Sequence, residues 1–561
     1  MTHPTPIKGA EKLSSRWAFT EDLGGYDIPI RLEGEIGDVI VRGAIPNFID
    51  GTFYRVGSDH FTPTLDGHSP LDGHGTVSAF RIHKGRVDFK IRYVQTDRYK
   101  IERQQRQSFW AQILNNPLGN HPCIRAVLAQ SSNTNVLYWA GRLLALREDG
   151  PAYALDPDTL ETNGVDPFGN QIITPAFTAH PKIDPNIEEL VTWGIWKGSD
   201  IVSYSIDRQG IVKNEHHIKP PRPTSSHDIA MTENWIVFCI WPSQFNFDGK
   251  PGDPSVAWNV DLPATFIVAP RRPDQPLAGS GWKPYESRVY YHPVNSAVIH
   301  TAGAWEEGNK IFFEGTYPRD NLFPFWARAG KREPLEKTVV ELVRFEINTN
   351  SPTDTEVPDP TVLVEIPNEF PRIDERFFCK NYDYIFMNVY QPESDGAELT
   401  KHVFSNLNAT AMLNKRTGEL KIYSPGPHCR CQEPVFIPRS DDAPEGDGYV
   451  IFAVDRMDIN LSNVVIMDTR DFEHPVAVIE LPMRMRAQIH GSWVDARELN
   501  GRPLVVDPPL HNMVWRHEPS PAGPGTLPDM MIALACLSFT LFHPGFFLPS
   551  MRTGYKNRAL L

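Results

Sequence analysis

Cysteine is scarce in this chain, with six residues among 561, too few for a disulfide framework to carry a protein of this length. The opening residues, MTHPTPIKGAEKLSSRW, lack the basic-then-apolar pattern of a secretory leader. Together these predict a reduced, cytosolic protein. Positive charge is also in deficit: 55 Lys and Arg stand against 69 Asp and Glu, a formal net charge of -14. Such a field repels phosphate backbones and anionic lipid, so no nucleic-acid partner is expected. Short catalytic signatures are missing as well. There is no HExxH, no paired CxxC, and no P-loop or G-x-G-x-x-G in a suitable context.

What the chain does have is short apolar alternation. Segments such as 77–82, 87–93, 135–138, 143–146, 201–206, 235–240, 264–268, 310–314, 339–347, 384–389, 449–454 and 464–468 read as strands. Turn residues separate them, as in His83-Lys-Gly85 and Trp139-Ala-Gly141. With 51 Pro and 39 Gly and few helical patterns, the chain predicts an all-β fold built from hairpins. No Pro/Ser-rich linker divides it, which fits a β-propeller or stacked sandwiches; no WD- or kelch-type repeat decides between them.

The end differs in character. Residues 530–548 are almost uninterruptedly apolar, nearly long enough to span a bilayer at about 20 residues, but His543, Pro544 and Gly545 break the last third. An interfacial membrane contact, a strip packed on the main body and an ill-ordered tail all fit this pattern. The division expected is therefore one domain over 1–500 and an extension over 501–561.

Four histidines stand beside predicted strands in different parts of the chain: His180, His227, His300 and His490. No helix or single hairpin brings such distant residues together. A propeller does, because the innermost strand of each blade faces one axis; taken singly, each reads equally well as a surface or core histidine. The cluster His428-Cys-Arg-Cys431 carries soft zinc-type ligands but has no second cysteine pair nearby and reads as a loop with incidental thiols.

A series of ordered motifs then becomes informative. Gly51-Thr-Phe-Tyr-Arg-Val-Gly57, Leu71-Asp-Gly-His-Gly75, Arg92-Tyr-Val-Gln-Thr96 with Glu102, Asn133-Thr-Asn135, Leu144-Ala-Leu-Arg-Glu148, Leu155-Asp-Pro157, the four His contexts, Glu369-Phe-Pro371 and Glu433-Pro-Val-Phe436 resemble the carotenoid cleavage oxygenase family. The likeness is greatest to its lignostilbene and resveratrol dioxygenase branch and runs from Gly51 to Val494. The resemblance implies a seven-bladed propeller with a dome over one face and non-haem Fe(II) on the axis, held by His180, His227, His300 and His490. It implies that Glu148, Glu369 and Glu433 orient three of these imidazoles, and that Thr134 lies near the open coordination position. The implied reaction is scission of an alkene C=C bond by O₂ into two carbonyl products, on a small apolar or aromatic alkene: a stilbenoid, a phenylpropanoid or an apocarotenoid. A non-oxidative, isomerase-like relative and a propeller scaffold without catalysis are the competing functions.

Two substitutions depart from the stilbene branch. Its substrate-gripping Lys, in an Ala-Leu-Lys-Glu setting, is Arg147 here, and its Tyr, in a Tyr-Arg-Asn-Pro setting, best matches Leu114. Leucine offers a phenol no hydrogen bond, and a guanidinium is too basic to share a proton readily. These changes predict a neutral or anionic aryl-alkene, such as a ring carboxylate facing Arg147, or a small apocarotenoid, in preference to resveratrol.

Overall fold

The computed structural model describes residues 17, 25–64, 70–110, 120–124, 127, 130–166, 168–197, 200–246, 250, 254–275, 277, 279–322, 327–329, 339–392 and 407–499. Leu114 and the apolar segment 530–548 lie outside the described residues. Strands dominate, and the α-helix among the described residues is Asp97–Gln105, begun by Thr96, whose hydroxyl accepts from the Tyr99 N–H. Each segment predicted from alternation is a strand; 77–82 lies within His74–His83, 143–146 within Arg142–Leu146 and 464–468 within Leu461–Asp468. Lys84-Gly85 and Ala140-Gly141 both have positive φ at both residues, the geometry of a two-residue hairpin turn in which glycine removes the Cβ clash.

Seven sheets, antiparallel except where Thr355–Glu356 pairs parallel with Arg288–His292, form the blades of a β-propeller, and a small three-stranded sheet accompanies them. The innermost strands, in chain order, are Asn135–Trp139, Lys182–Asp184, Ser226–Met231, Thr301–Glu307, Asn368–Arg372, the interrupted pair Cys429–Cys431 and Val435–Pro438, and Gln488–Asp495. The ring closes twice. Gln488–Asp495 pairs with Gly51–Asp59 from the start of the chain, and Ile40–Gly43 adds to Asp471–Glu480 in the neighbouring blade.

Blades are buried on both faces, which is why their strands look apolar at nearly every position. In Gly448–Arg456, Tyr449, Ile451 and Ala453 pack into one inter-blade core with Phe53, Phe80 and Ile466, whereas Val450, Phe452 and Val454 point into another with Phe386 and Phe436. Each large apolar side chain so buried contributes roughly 1.5–3 kcal/mol. No helix among the described residues is long and apolar enough to cross a membrane.

Candidate metal centre

Antiparallel pairing alone would leave these inner strands regular, but several carry an irregularity where a histidine or glutamate stands. In Ser226–Met231 the pairing runs from Ser226↔Ile240 to Ile229↔Phe238, one extra residue across the stretch holding His227. The same surplus occurs at Glu369 to Arg372, between Gln488 and Gly491 around His490, and just after His300, between Thr301 and Gly303. Glu433 sits in the gap between Cys431↔Val454 and Val435↔Ile451. A bulge re-aims a side chain out of the ladder, and here it frees each residue from the inter-blade cores. Gly491 follows His490 because a Cβ there would lie 2.4 Å from the Tyr54 carbonyl oxygen.

The four predicted histidines converge. Ligand-capable atoms of His180, His227 and His300 lie within 4.8 Å of one another, and the His490 ring centroid is 4.7 Å from that of His180 and 4.8 Å from that of His300. Three Nδ1 atoms are engaged from behind by carboxylates: His227 by Glu148, His300 by Glu369 at 2.6 Å and His490 by Glu433 at 2.9 Å. A carboxylate accepts, so each Nδ1 carries the hydrogen and each Nε2 is left as a lone pair. His227 and His300 turn these atoms toward each other at 3.2 Å, and the buried Nε2 atoms of His180 and His490 have no hydrogen-bond partner. Facing lone pairs repel unless a cation draws them together, so the donor set fits a divalent metal with a preference for imidazole, iron among them.

Electrostatics divides the histidines. Burial and the three neighbouring imidazoles hold His180 well below its ordinary pKa. Burial also pushes His490 down to about 4, against the attraction of Glu433. For His300 the burial penalty is outweighed by Glu369, with Asp228 and Glu433 adding to it, so its pKa is raised. The glutamates differ as well. Glu433 is buried, yet Arg372, Nη1 at 3.1 Å, His490 and Arg55 outweigh that burial and hold it well below the carboxylate range. Glu369 is fully buried and accepts from the Thr316 hydroxyl at 2.6 Å and the Phe370 N–H at 2.5 Å. The Glu148 side chain remains 35% exposed.

Sequence reasoning missed several supporting residues. Lys182 lies two positions after His180, Asp228 one after His227 and Thr301 one after His300. Asp228 joins them, taking Lys182 Nζ at 2.7 Å on one oxygen and the Thr301 N–H and hydroxyl at 2.8 and 3.0 Å on the other. This belt fixes three histidine-bearing strands relative to one another. Phe370, held at φ +56°, stacks on His300 at 5.3 Å, and Trp241 packs against His227 at 4.9 Å. A strained non-glycine residue beside a glutamate with a histidine partner was the signal in hindsight, but φ is not legible in sequence.

Thr134 immediately precedes the inner strand Asn135–Trp139 of another blade, and its hydroxyl donates to Asn133 Oδ1 at 3.3 Å. Arg147 does not offer a free cation. It is 5% exposed, its Nη1 donates to Ser131 Oγ, the Leu71 carbonyl and Asn133 Oδ1, and its Nε meets Asp149 Oδ1 at 2.9 Å. Leu114 lies outside the described residues. Cys429 and Cys431, expected in a loop, form a buried strand instead, with Arg430 bonded to Asp455 and Asp27; they take no part in the histidine cluster. His74 and Glu102, both motif residues, pair at 2.8 Å and tie the helix to the first blade.

Comparison with known proteins agrees with this geometry. A family model described as retinal pigment epithelial membrane protein matches residues 28–495. The chain is 43% identical to resveratrol cleavage oxygenase 1 of Botryotinia fuckeliana over 90% of its own length and 91% of that protein, and 33% identical to lignostilbene-alpha,beta-dioxygenase isozyme III of Sphingomonas paucimobilis over 86% and 98%. The crystal structure of lignostilbene dioxygenase from Pseudomonas brassicacearum superposes with a TM-score of 0.79 at 33% identity, covering 86% of this chain and all of that one. With a matching family model over most of its length, relatives above 30% identity and a seven-bladed propeller, the chain belongs to the retinal pigment epithelial membrane protein family, that of the carotenoid cleavage oxygenases.

Proposed function

We infer that this protein is an Fe(II)-dependent dioxygenase that splits the C=C bond of an aryl-alkene with O₂, residues 1–500 forming the oxygenase domain. The observation that carries the reading is the convergence of four imidazoles from four blades with three Nδ1 atoms braced by glutamate. Iron(II) bound by His180, His227, His300 and His490 would supply a spin-allowed route for O₂ to react with an electron-rich alkene. The balance is simple: one alkene and one O₂ give two carbonyl compounds, and no external reductant is consumed.

The chain's own residues supply position and environment. Glu148, Glu369 and Glu433 fix three ring orientations, so the lone pairs stay aimed at one point without reorganisation. Phe370 and Trp241 cover two of the imidazoles with apolar surface and exclude water from them. Thr134 immediately precedes Asn135–Trp139, one of three inner strands that bring no histidine, and the family resemblance puts it beside the side open to O₂.

Aerobic incubation of Fe(II)-loaded protein with stilbenes, propenylphenols, their methyl ethers and apocarotenals under ¹⁸O₂ tests the reading. Mass spectrometry should show two aldehydes from one substrate, with label from O₂. Products without label would favour the non-oxidative relative, and no product from any member would overturn the substrate class.

A further inference from the structure

Arg55 is fully buried and belongs to Gly51–Asp59, the strand paired with the one that carries His490, where it stands opposite Gly491. Its stem crosses the face of Gly491, at which a Cβ would lie 2.6 Å from Arg55 Cδ. The guanidinium so placed reaches two blades. Nη1 donates to the Glu433 carbonyl at 2.9 Å, and Nη2 is shared among Gln432 Oε1 at 3.0 Å and the carbonyls of Gln488 at 3.2 Å and Ile489 at 3.3 Å. Gln432 Oε1 also accepts from the Gln488 N–H at 3.3 Å, which closes one network across the junction.

The segments gripped are those that leave the ladders at the metal centre. Ile489 immediately precedes His490, and Glu433 accepts from His490 Nδ1 at 2.9 Å. Arg372 Nη1 serves the Glu433 carboxylate, 3.1 Å from Oε2, whereas Arg55 Nη1 is 3.9 Å from that oxygen, beyond hydrogen-bond distance. Arg55 therefore acts on the main chain. Bulged segments lack the ladder bonds that would otherwise fix their spacing, and Arg55 supplies bonds in their place.

We propose that Arg55 is a positioning residue of the metal centre, strapping the backbone of Glu433 to that of His490 across the blade boundary and so fixing the direction in which His490 Nε2 is presented. This rests on the functional reading above and deepens it. A lysine would keep the charge, but its donors radiate from a single nitrogen and cannot span both strands as the planar fork does.

The test uses full-length protein with Arg55→Lys, and Arg271→Lys as a control. Arg271 is also buried and joins strands through Asp184, Glu189 and the Thr232 and Glu233 carbonyls, but it bonds none of the four histidines or their glutamates. Co(II) affinity by chelator competition, the visible absorption of the Co(II) protein, which reports ligand geometry, and the urea midpoint are read for each. Arg55→Lys should weaken Co(II) binding about tenfold or more, as loss of an orienting contact does, and alter the absorption; Arg271→Lys should lower the urea midpoint while keeping wild-type affinity and absorption. Wild-type affinity and absorption in Arg55→Lys, or equal changes in both variants, overturns the inference while the metal centre stands. Should Arg55→Lys not fold, Gln432→Leu decides, because it removes one acceptor of Nη2 and leaves His490 and Glu433 in place: altered absorption supports the strap and unaltered absorption overturns it. Wild-type protein that binds no stoichiometric Co(II) overturns the metal centre and the inference together.

Discussion

His227 and His300 present their Nε2 atoms to one another at 3.2 Å, while Glu148 and Glu369 grip their Nδ1 atoms from behind. With both Nδ1 hydrogens given to the glutamates, the two Nε2 atoms face each other as lone pairs, a contact set by the blades. His227→Ala is expected to abolish stoichiometric iron by elemental analysis, because a ligand is removed outright. Glu369→Gln should keep a metal but bind it about 10–100-fold more weakly, the usual effect of losing an orienting partner.

The glutamates are predicted to separate stability from metal binding. Glu433 sits between Arg372 and Arg55, and both arginines also reach carbonyls of the same blade junction. Glu433→Gln leaves the fully buried Arg55 without its nearest counter-charge, while Arg372 keeps Glu375, a loss on the order of 3 kcal/mol in urea unfolding. Glu148→Gln, with a partly open side chain and no Lys or Arg ion pair among the described residues, should change urea stability by less than about 1 kcal/mol and act on metal affinity instead. Equal destabilisation by both would show that the arginines do not matter.

Much of this is legible in the sequence. Short apolar segments bounded by turn residues marked the strands, and the four histidines lay in recognisable contexts. The architecture was legible only through the family resemblance, since by periodicity a propeller and stacked sandwiches share the same hairpin signal and no repeat separates them. Asp228 was illegible for another reason: an acid next to a histidine gains meaning only when Lys182 and Thr301 arrive from neighbouring blades. Arg147 misled, because its charge was visible in the sequence and its closure onto Asp149 was not.

Asp228 accordingly yields its own prediction. Asp228→Ala removes the acceptor shared by Lys182 and Thr301, leaving a mostly buried ammonium unpaired. A loss of about 3 kcal/mol or more is expected in urea unfolding, accompanied by weaker iron binding, although the residue touches no imidazole centre directly. Lys182→Met combined with Asp228→Leu should recover stability without recovering metal affinity, if the belt sets the spacing of the histidine strands. Full recovery of both would reduce Asp228 to a simple charge partner.

The histidines also set the acid limb of the metal-free protein. His490 is pushed down to about 4 and His180 lies well below its ordinary value, so the folded state resists the protons that the unfolded chain binds near pH 6.5. Their contribution is complete above that pH, falls as pH drops through the interval, and for His490 reaches its floor near pH 4. A shift of this size corresponds to about 3 kcal/mol for His490. His300 runs the other way: its raised pKa stabilises the fold at low pH, and that contribution is lost as pH rises through the folded value. Urea unfolding of chelator-treated protein from pH 4 to 8 should therefore show stability rising through pH 4–6.5. His490→Gln should flatten that rise, whereas Glu369→Gln, which removes the cause of the His300 shift, should steepen it. A rise unchanged by His490→Gln would assign the acid limb to other groups.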